Sequence, residues 1–314
     1  MKTFDLIQMC LRNLTRRKFR TLLTMIGVVL GTCAVVMMIA LGLGMKQSLD
    51  ESLAQMGDLT LIEIYAYGNV DKEGKEVFLD DAKMKEIMAL PGVKTATPFY
   101  NPRNFDAQMF GGRNERYMTY VYNIVGVYPE ALPLLGYELL EGTWEDAFSE
   151  PYSILMGQYA AYQFQDTRKT RGNNRVDPYP DATGKIPDPY VDVLSDKLVI
   201  RLGQQSETAR KIEYKPIVRG VLKEDWSRGY ETSRGMFMSI DDLKTMEAAY
   251  MKANNIKVDK NQKKGYDNAR VKVSDLKYVE EVEAAIKTMG FETYSMETIR
   301  KPMEEQAQKQ QKFL

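Results

Sequence analysis

No charged side chain occurs between Thr21 and Met45, and the basic cluster Arg16, Arg17, Lys18 and Arg20 stands directly before that run. Its apolar centre, Leu22 to Leu43, makes a helix of roughly 33 Å at ~1.5 Å per residue, enough for a hydrocarbon core of ~30 Å. A lone segment can lie in lipid only if it satisfies its own backbone hydrogen bonds, which a helix does. Cytoplasmic flanks carry the Lys/Arg excess, so these four basic residues are read as topology-determining. The N-terminus is expected inside the cell, and residues beyond about Met45 outside. A secretory signal has an apolar region of about 7–15 residues and an A-x-A-like exit. This run is longer, and it ends in Ala40-Leu41-Gly42-Leu43-Gly44. Leu30-Gly31-Thr32-Cys33 approaches a lipoprotein box, but Thr precedes the cysteine and the apolar run continues past it. The expectation is an uncleaved, single-pass anchor in the cell membrane with an extracytoplasmic main domain.

The charge balance agrees. The whole chain holds 43 basic and 43 acidic residues, but six basic residues and one acid precede Thr21, which leaves the remainder at a net −5. That gives no nucleic-acid footprint. Roughly 270 residues beyond the anchor suffice for two compact subdomains. Both cysteines, Cys10 and Cys33, lie in the membrane part, so the exterior part must hold together by its core. The chain has no histidine, which removes His-based triads and His-ligated metals. Neither paired acids nor an activated nucleophile stand out, and no cofactor or catalytic residue is assigned; the chain does not read as an enzyme.

Periodicity supplies the organisation. Phe4, Ile7, Leu11 and Leu14 form a helical stripe, so residues 1–20 read as a cytoplasmic amphipathic helix. Residues 21–45 are the membrane helix. In 46–57 the stripe Met45, Leu49, Leu53 and Met56 continues outward as a stalk, whose expected partner is a second stalk helix at 299–314, near Met303 and Ala307. Between the stalks short strands and helices alternate. A first β-α-β group spans 58–128, with Asp80 as N-cap of a helix to Leu90 and Gly111-Gly112 as a hairpin turn. The group at 235–298 repeats that grammar. A mostly β segment at 129–234 separates them, with a hairpin expected between Leu198–Leu202 and Lys211–Val221. The fold class is therefore α+β: one N-terminal transmembrane helix extended as a stalk, and a β-α-β subdomain split by an inserted, mostly β subdomain. The polar loop 167–189 is long enough to be functional or mobile. Its Asp177, Asp181 and Asp188, with Asp192, miss the EF-hand spacing and read as turn residues. Trp144 and Trp226 are expected in the core or at a subdomain contact.

Leu11-Arg12-Asn13-Leu14, followed by the stretch from Lys18 to Gly31, resembles the opening of MacB/FtsX-type ABC transporter permeases. Leu41-Gly42-Leu43-Gly44-Met45-Lys46-Gln47 resembles the family's exit into the stalk. Leu90-Pro91-Gly92-Val93 resembles its helix-to-strand turn, and Val125-Gly126-Val127 and Val218-Arg219-Gly220-Val221 resemble two strands of its periplasmic core. The resemblance implies a porter-like α+β subdomain with an inserted β subdomain. It also implies a permease subunit, or the N-terminal fragment of a four-span one, that couples ATP hydrolysis by a separate ABC ATPase subunit to exterior conformational change. The implied cargo is peptide, antibiotic or lipid-linked, and the implied partners are the ATPase, a second permease subunit (homo- or heterodimer), the lipid bilayer and an extracytoplasmic peptide or protein. The sequence has no Gly-rich Walker-type loop, so hydrolysis is expected from a partner. The alternative reading is a single-span, membrane-anchored binding or adaptor protein.

Overall fold

The computed structural model describes residues 18–55, 58–66, 69–70, 73–257, 265–298 and 300–302. The chain divides into two compact units, Met1–Gly57 with Thr298–Leu314, and Asp58–Glu297.

In the first unit one helix, α1 (Lys18–Gln55), runs 38 residues without a break. At ~1.5 Å per residue it is about 57 Å long. Within Lys18–Met45 an 18-residue stretch has a mean hydropathy of 2.5 and none of that stretch is buried within the chain, so the helix is long and apolar enough to cross a bilayer. Two hydroxyls inside this stretch bond to the preceding turn: Thr24 Oγ1 donates to Arg20 O at 2.7 Å and Thr32 Oγ1 to Val28 O at 2.9 Å. Those bonds remove the cost of carrying a hydroxyl in hydrocarbon. Lys18 and Arg20 stand exposed in the first turn; Arg16, Arg17 and the stripe from Phe4 to Leu14 lie outside the described residues. The helix passes through Leu49 and Leu53, but the packing of those side chains, like Met56, Met303 and Ala307, lies outside them too.

The second unit begins with β1 (Leu61–Tyr65), α2 (Asp81–Met88), β2 (Val93–Phe99), β3 (Ala107–Gly111), β4 (Tyr117–Tyr120) and β5 (Ile124–Val127). It continues with α3 (Ala131–Leu134), β6 (Leu139–Gly142), β7 (Ser153–Met156), β8 (Gln165–Asp166), β9 (Val199–Leu202), β10 (Ile212–Tyr214) and β11 (Ile217–Leu222). Last come α4 (Glu231–Arg234), β12 (Met236–Ser239), α5 (Ile240–Ala253), β13 (Asn268–Val273), α6 (Val279–Thr288) and β14 (Glu292–Ser295).

These strands make three sheets. The first, in the order β14-β1-β13-β2, is antiparallel throughout, with Ile62 opposite Val271 and Ala96 opposite Val271 on the other side. Two β-α-β groups far apart in sequence thus complete one four-stranded layer. Asp80 caps α2 by accepting from Lys83 N at 2.9 Å. Met84 and Ile87 of α2, with Val279, Val282 and Ile286 of α6, cover the face that carries Ile62, Ile64, Ala96, Ala269 and Val271. After α2 the chain reverses through Gly92 at φ 86°, where a Cβ would meet the Tyr278 ring at 2.5 Å. Only glycine fits both requirements.

The second sheet is β10-β9-β3-β4-β8 and the third is β5-β12-β7-β11-β6. Alternation explains how the third is used. Ile124, Ile154, Met156, Met236 and Met238 face β3 and β9 of the second sheet. Val125, Val127, Leu155, Leu222 and Phe237 face the other way, onto α3 and onto Leu61 and Phe99 of the first sheet. Both faces are apolar, as expected of a central layer.

The four-stranded sheet is interrupted between Phe99 and Asn268, a wider gap than the expected 129–234. The hairpin β3–β4 joins the second sheet, and β5, β12 and α5 belong with the third. Local hydropathy gives strands but not sheet membership, so the expected first-layer groups at 58–128 and 235–298 include residues 100–128 and 235–257, which the structure places with the inserted layers. Likewise β9 and β10 form the expected hairpin, whereas β11 pairs with β7 and β6 instead. Residues 167–198 carry only turns and one bridge, between Gln165 and Arg175. Trp144 packs on the α3 core as expected, but Trp226 is 66% exposed.

Candidate functional site

The first sheet shows its helices an apolar face. Along β13 the intervening residues are Arg270 and Lys272; along β1 they are Leu61 and Glu63. In a sheet with one free face these charges would point to water. Here they meet the inserted layers, and Arg270 is left only 12% exposed.

Asp58 is the first described residue after α1, and it is where the chain enters the unit Asp58–Glu297. Its Oδ1 accepts from Thr60 N at 3.1 Å and Thr60 Oγ1 at 2.7 Å. Its Oδ2 takes the Lys272 ammonium of β13 and lies 3.6 Å from the Arg228 guanidinium of the insert. Burial raises the Asp58 carboxyl, but the Lys272 and Thr60 hydrogen bonds outweigh it and hold it below the ordinary range. One carboxylate therefore ties both halves of the unit to the point where the chain arrives.

Arg228 and Arg270 extend the cluster. Arg228 Nε pairs with Asp225 Oδ2 at 3.0 Å and NH1 donates to Leu135 O. Arg270 Nε pairs with Glu63 Oε1 at 3.1 Å, while NH1 donates to the Tyr137 hydroxyl and to Arg228 O. The Tyr137 hydroxyl donates on to Arg228 O at 3.2 Å, and burial pushes it up to about 12.

A second cluster holds the two crossings between the first sheet and the insert. Glu247 of α5 is buried, and its Oε1 accepts from Arg103 N (2.9 Å), Asn104 N (2.9 Å) and Asn104 Nδ2 (2.8 Å). Its Oε2 takes the Tyr100 hydroxyl. Arg103 NH2 pairs with Asp267 Oδ1 at 2.6 Å, joining the outgoing crossing to the returning one. Lys244, one turn earlier on α5, reaches Asp81 Oδ2 at 3.2 Å and the Tyr266 hydroxyl at 2.8 Å. Helix α5 is shared between cores: Ile240 packs with the first sheet, and Leu243, Met246 and Tyr250 pack between the second and third. A cavity of about 240 Å³ opens beside this cluster.

The insert carries a larger cavity, about 590 Å³, between β6, the turn after β7 and the segment 186–194. Among the described residues no group of His, Cys, Asp or Glu is arranged to hold a metal ion. Asp181 is committed to its own turn, accepting from Thr183 N at 2.8 Å and Lys185 N at 3.2 Å.

Of the topology-determining and stalk-packing residues expected from sequence (Arg16, Arg17, Lys18, Arg20, Leu49, Leu53, Met56, Met303 and Ala307), only Lys18 and Arg20 have described side chains, and neither joins these clusters. Asp58, Glu63, Arg228, Glu247, Arg270 and Lys272 were not foreseen. The alternation of β13 announced a charged face, but its partners lie too far away in sequence to be read.

Residues 21–289 match the family model of the MacB-like periplasmic core domain. The chain belongs to that family. An uncharacterised ABC transporter permease of Methanocaldococcus jannaschii is 27% identical over 169 residues, covering 53% of this chain and 40% of the relative. The macrolide export ATP-binding/permease protein MacB of a Shewanella species is 30% identical over 145 residues, 45% of this chain and 21% of the relative. The chain thus spans less than half the length of these relatives. The crystal structure of the periplasmic region of MacB from Actinobacillus actinomycetemcomitans covers 82% of the chain and 98% of its own, at 12% identity and a TM-score of 0.46. In this MacB-like core domain the ion-pair clusters sit at the joints of the fold: one where the chain arrives from α1, the other where it crosses between sheets.

Proposed function

We propose that the chain is a permease subunit, or the N-terminal part of one, in a MacB-type ABC transporter, and that Asp58 is where motion is handed to the exterior domain. The supporting observation is the shared carboxylate. A displacement of the chain at Asp58 loads Lys272 of the first sheet and Arg228 of the insert together. Two cations on one acid resist separation better than one, since all three side chains are only 15–18% exposed. The helix α1 supplies the stiff element on the other side of Gly57. The basic residues of its first turn support a cytoplasmic N-terminus, with the Asp58–Glu297 unit outside. The partners of this reading are a separate ABC ATPase, a second permease subunit and an extracytoplasmic peptide or protein, with cargo of the peptide, antibiotic or lipid-linked kind.

The test is a Gly-Gly insertion after Ser48 in the complete permease, reconstituted with its ATPase. Two glycines interrupt a helix and add a flexible joint. ATP hydrolysis is expected to persist while export falls to background, with the exterior unit still folded. Export at the wild-type rate would show that the helix is only a spacer.

A further inference from the structure

The 590 Å³ cavity of the insert has the size range of sites for drug-sized ligands. A bulge at Val221/Leu222 leaves Leu140 unmatched on β6, and Leu140 and Glu141 both line the cavity. The same bulge makes β6 a poor template for an added strand. The rim is apolar although it faces water: Leu140, Ile186 and Leu194 are 50%, 49% and 39% exposed. Such clustering is unusual on a soluble surface without a ligand.

Two independent features choose the ligand's charge. The first is aromatic. Tyr159 and Tyr162 line the cavity with ring centroids 6.3 Å apart and planes inclined by 56°, so two aromatic residues border one space. The Tyr162 hydroxyl donates to Pro187 O at 3.0 Å, which fixes its ring and ties the 186–194 wall to the turn. The second is ionic. The lining holds Glu141, Asp188 and Asp192 and no basic residue. Asp192 Oδ1 accepts from Leu194 N at 3.1 Å, but neither Glu141 nor Asp188 has an ion pair or hydrogen bond to its carboxylate among the described residues. Burial, and then the charge of Asp188, push the Tyr162 hydroxyl up, consistent with a carboxylate beside that ring. Aromatic faces attract cations through the ring quadrupole, and nearby carboxylates add a long-range field of the same preference.

We propose that this cavity binds a single organic cation, an onium or ammonium centre seated against Tyr159, Tyr162, Glu141 and Asp188, with its apolar body on Leu140, Ile186 and Leu194. The site belongs to the insert and stands independently of the coupling reading. A free basic peptide would need a strand edge or a longer groove, and the bulged β6 offers neither.

Equilibrium dialysis of the full chain in neutral detergent tests this with tetraphenylphosphonium and its anionic isostere tetraphenylborate. The phosphonium is expected to bind saturably and about tenfold more tightly than the borate. The Glu141→Gln, Asp188→Asn double variant is expected to lose that preference, again by about tenfold, with an unchanged melting curve because both side chains are exposed. Tyr159→Leu removes one of the two rings and should bind more weakly. Equal binding of the two isosteres by the wild-type chain would overturn the proposal without any variant. Unchanged phosphonium affinity in the double variant would do the same, showing apolar partition alone.

Discussion

Asp58 and Lys272 are 214 residues apart, yet share a hydrogen bond with side chains only 17% and 18% exposed. Asp58→Asn keeps the shape but removes the charge between two cations, and is expected to destabilise the Asp58–Glu297 unit by about 2 kcal/mol at neutral pH. Chemical denaturation with unchanged m would register it; an unchanged midpoint would reduce the cluster to decoration. Asp166 makes a cleaner pH case. The hydrogen bonds of Arg116, to Oδ1 at 3.1 Å and Oδ2 at 2.5 Å, hold its carboxyl at about 2 against an ordinary 3.8. A depressed carboxyl contributes stability that is complete above 3.8 and lost as pH falls through about 2. Asp166→Asn should therefore melt lower than wild type at pH 7, with the two curves converging between about pH 4 and 2. Curves that stay parallel there would assign the acid loss to other groups. None of these partners was legible in the sequence, because a charge on a strand says that a face is polar and not what meets it.

At the level of elements, sequence was most informative where one period governs a long run. α1 follows from the absence of charge over Thr21–Met45, α2 from apolar residues at helical spacing between Asp80 and Gly92, and α6 from the same spacing at Val279, Val282 and Ile286. The element least visible in advance is the contact of β7 with α4. Gly157 N donates to Gly235 O at 2.9 Å and Tyr159 N to Ser233 O at 2.7 Å. A Cβ on Gly157 would meet Glu231 O at 2.6 Å and Ser233 C at 2.6 Å, both backbone atoms that cannot swing aside. Gly157→Ala is expected to cost about 1–3 kcal/mol and to displace Tyr159, lowering both the melting temperature and cation binding. A melting temperature equal to wild type would show that α4 yields. Shared helix α5 gives the opposite kind of test. Glu247→Gln leaves one buried acceptor in place of a carboxylate that serves four donors, and amide exchange at residues 100–106 and 265–268 is expected to rise about tenfold or more, while β7 and β12 keep their protection. Uniform loss of protection would mean that the unit opens only as a whole.

For the molecule as a whole, the orientation argument yields a direct measurement. In a chain with Cys10→Ser and Cys33→Ala, Trp226→Cys supplies one exposed thiol in the Asp58–Glu297 unit. A membrane-impermeant maleimide should label it in intact spheroplasts. Labelling only after permeabilisation would invert the topology. That expectation rests on the sequence alone, since the basic cluster and the apolar run are adjacent and need no tertiary contact to act. The α+β class and the split of one sheet into two β-α-β groups were likewise decided locally, by alternation, helical spacing and turn residues. What only the tertiary structure decided is membership and partnership. It placed β3, β4, β5 and β12 in the inserted layers, and it turned the polar face of the first sheet into an internal ion-pair joint. It also gathered Glu141, Tyr159, Tyr162 and Asp188 around one cavity. Periodicity is a property of neighbours along the chain, whereas these pairings are set by which apolar faces bury each other, a competition that only the packed molecule resolves.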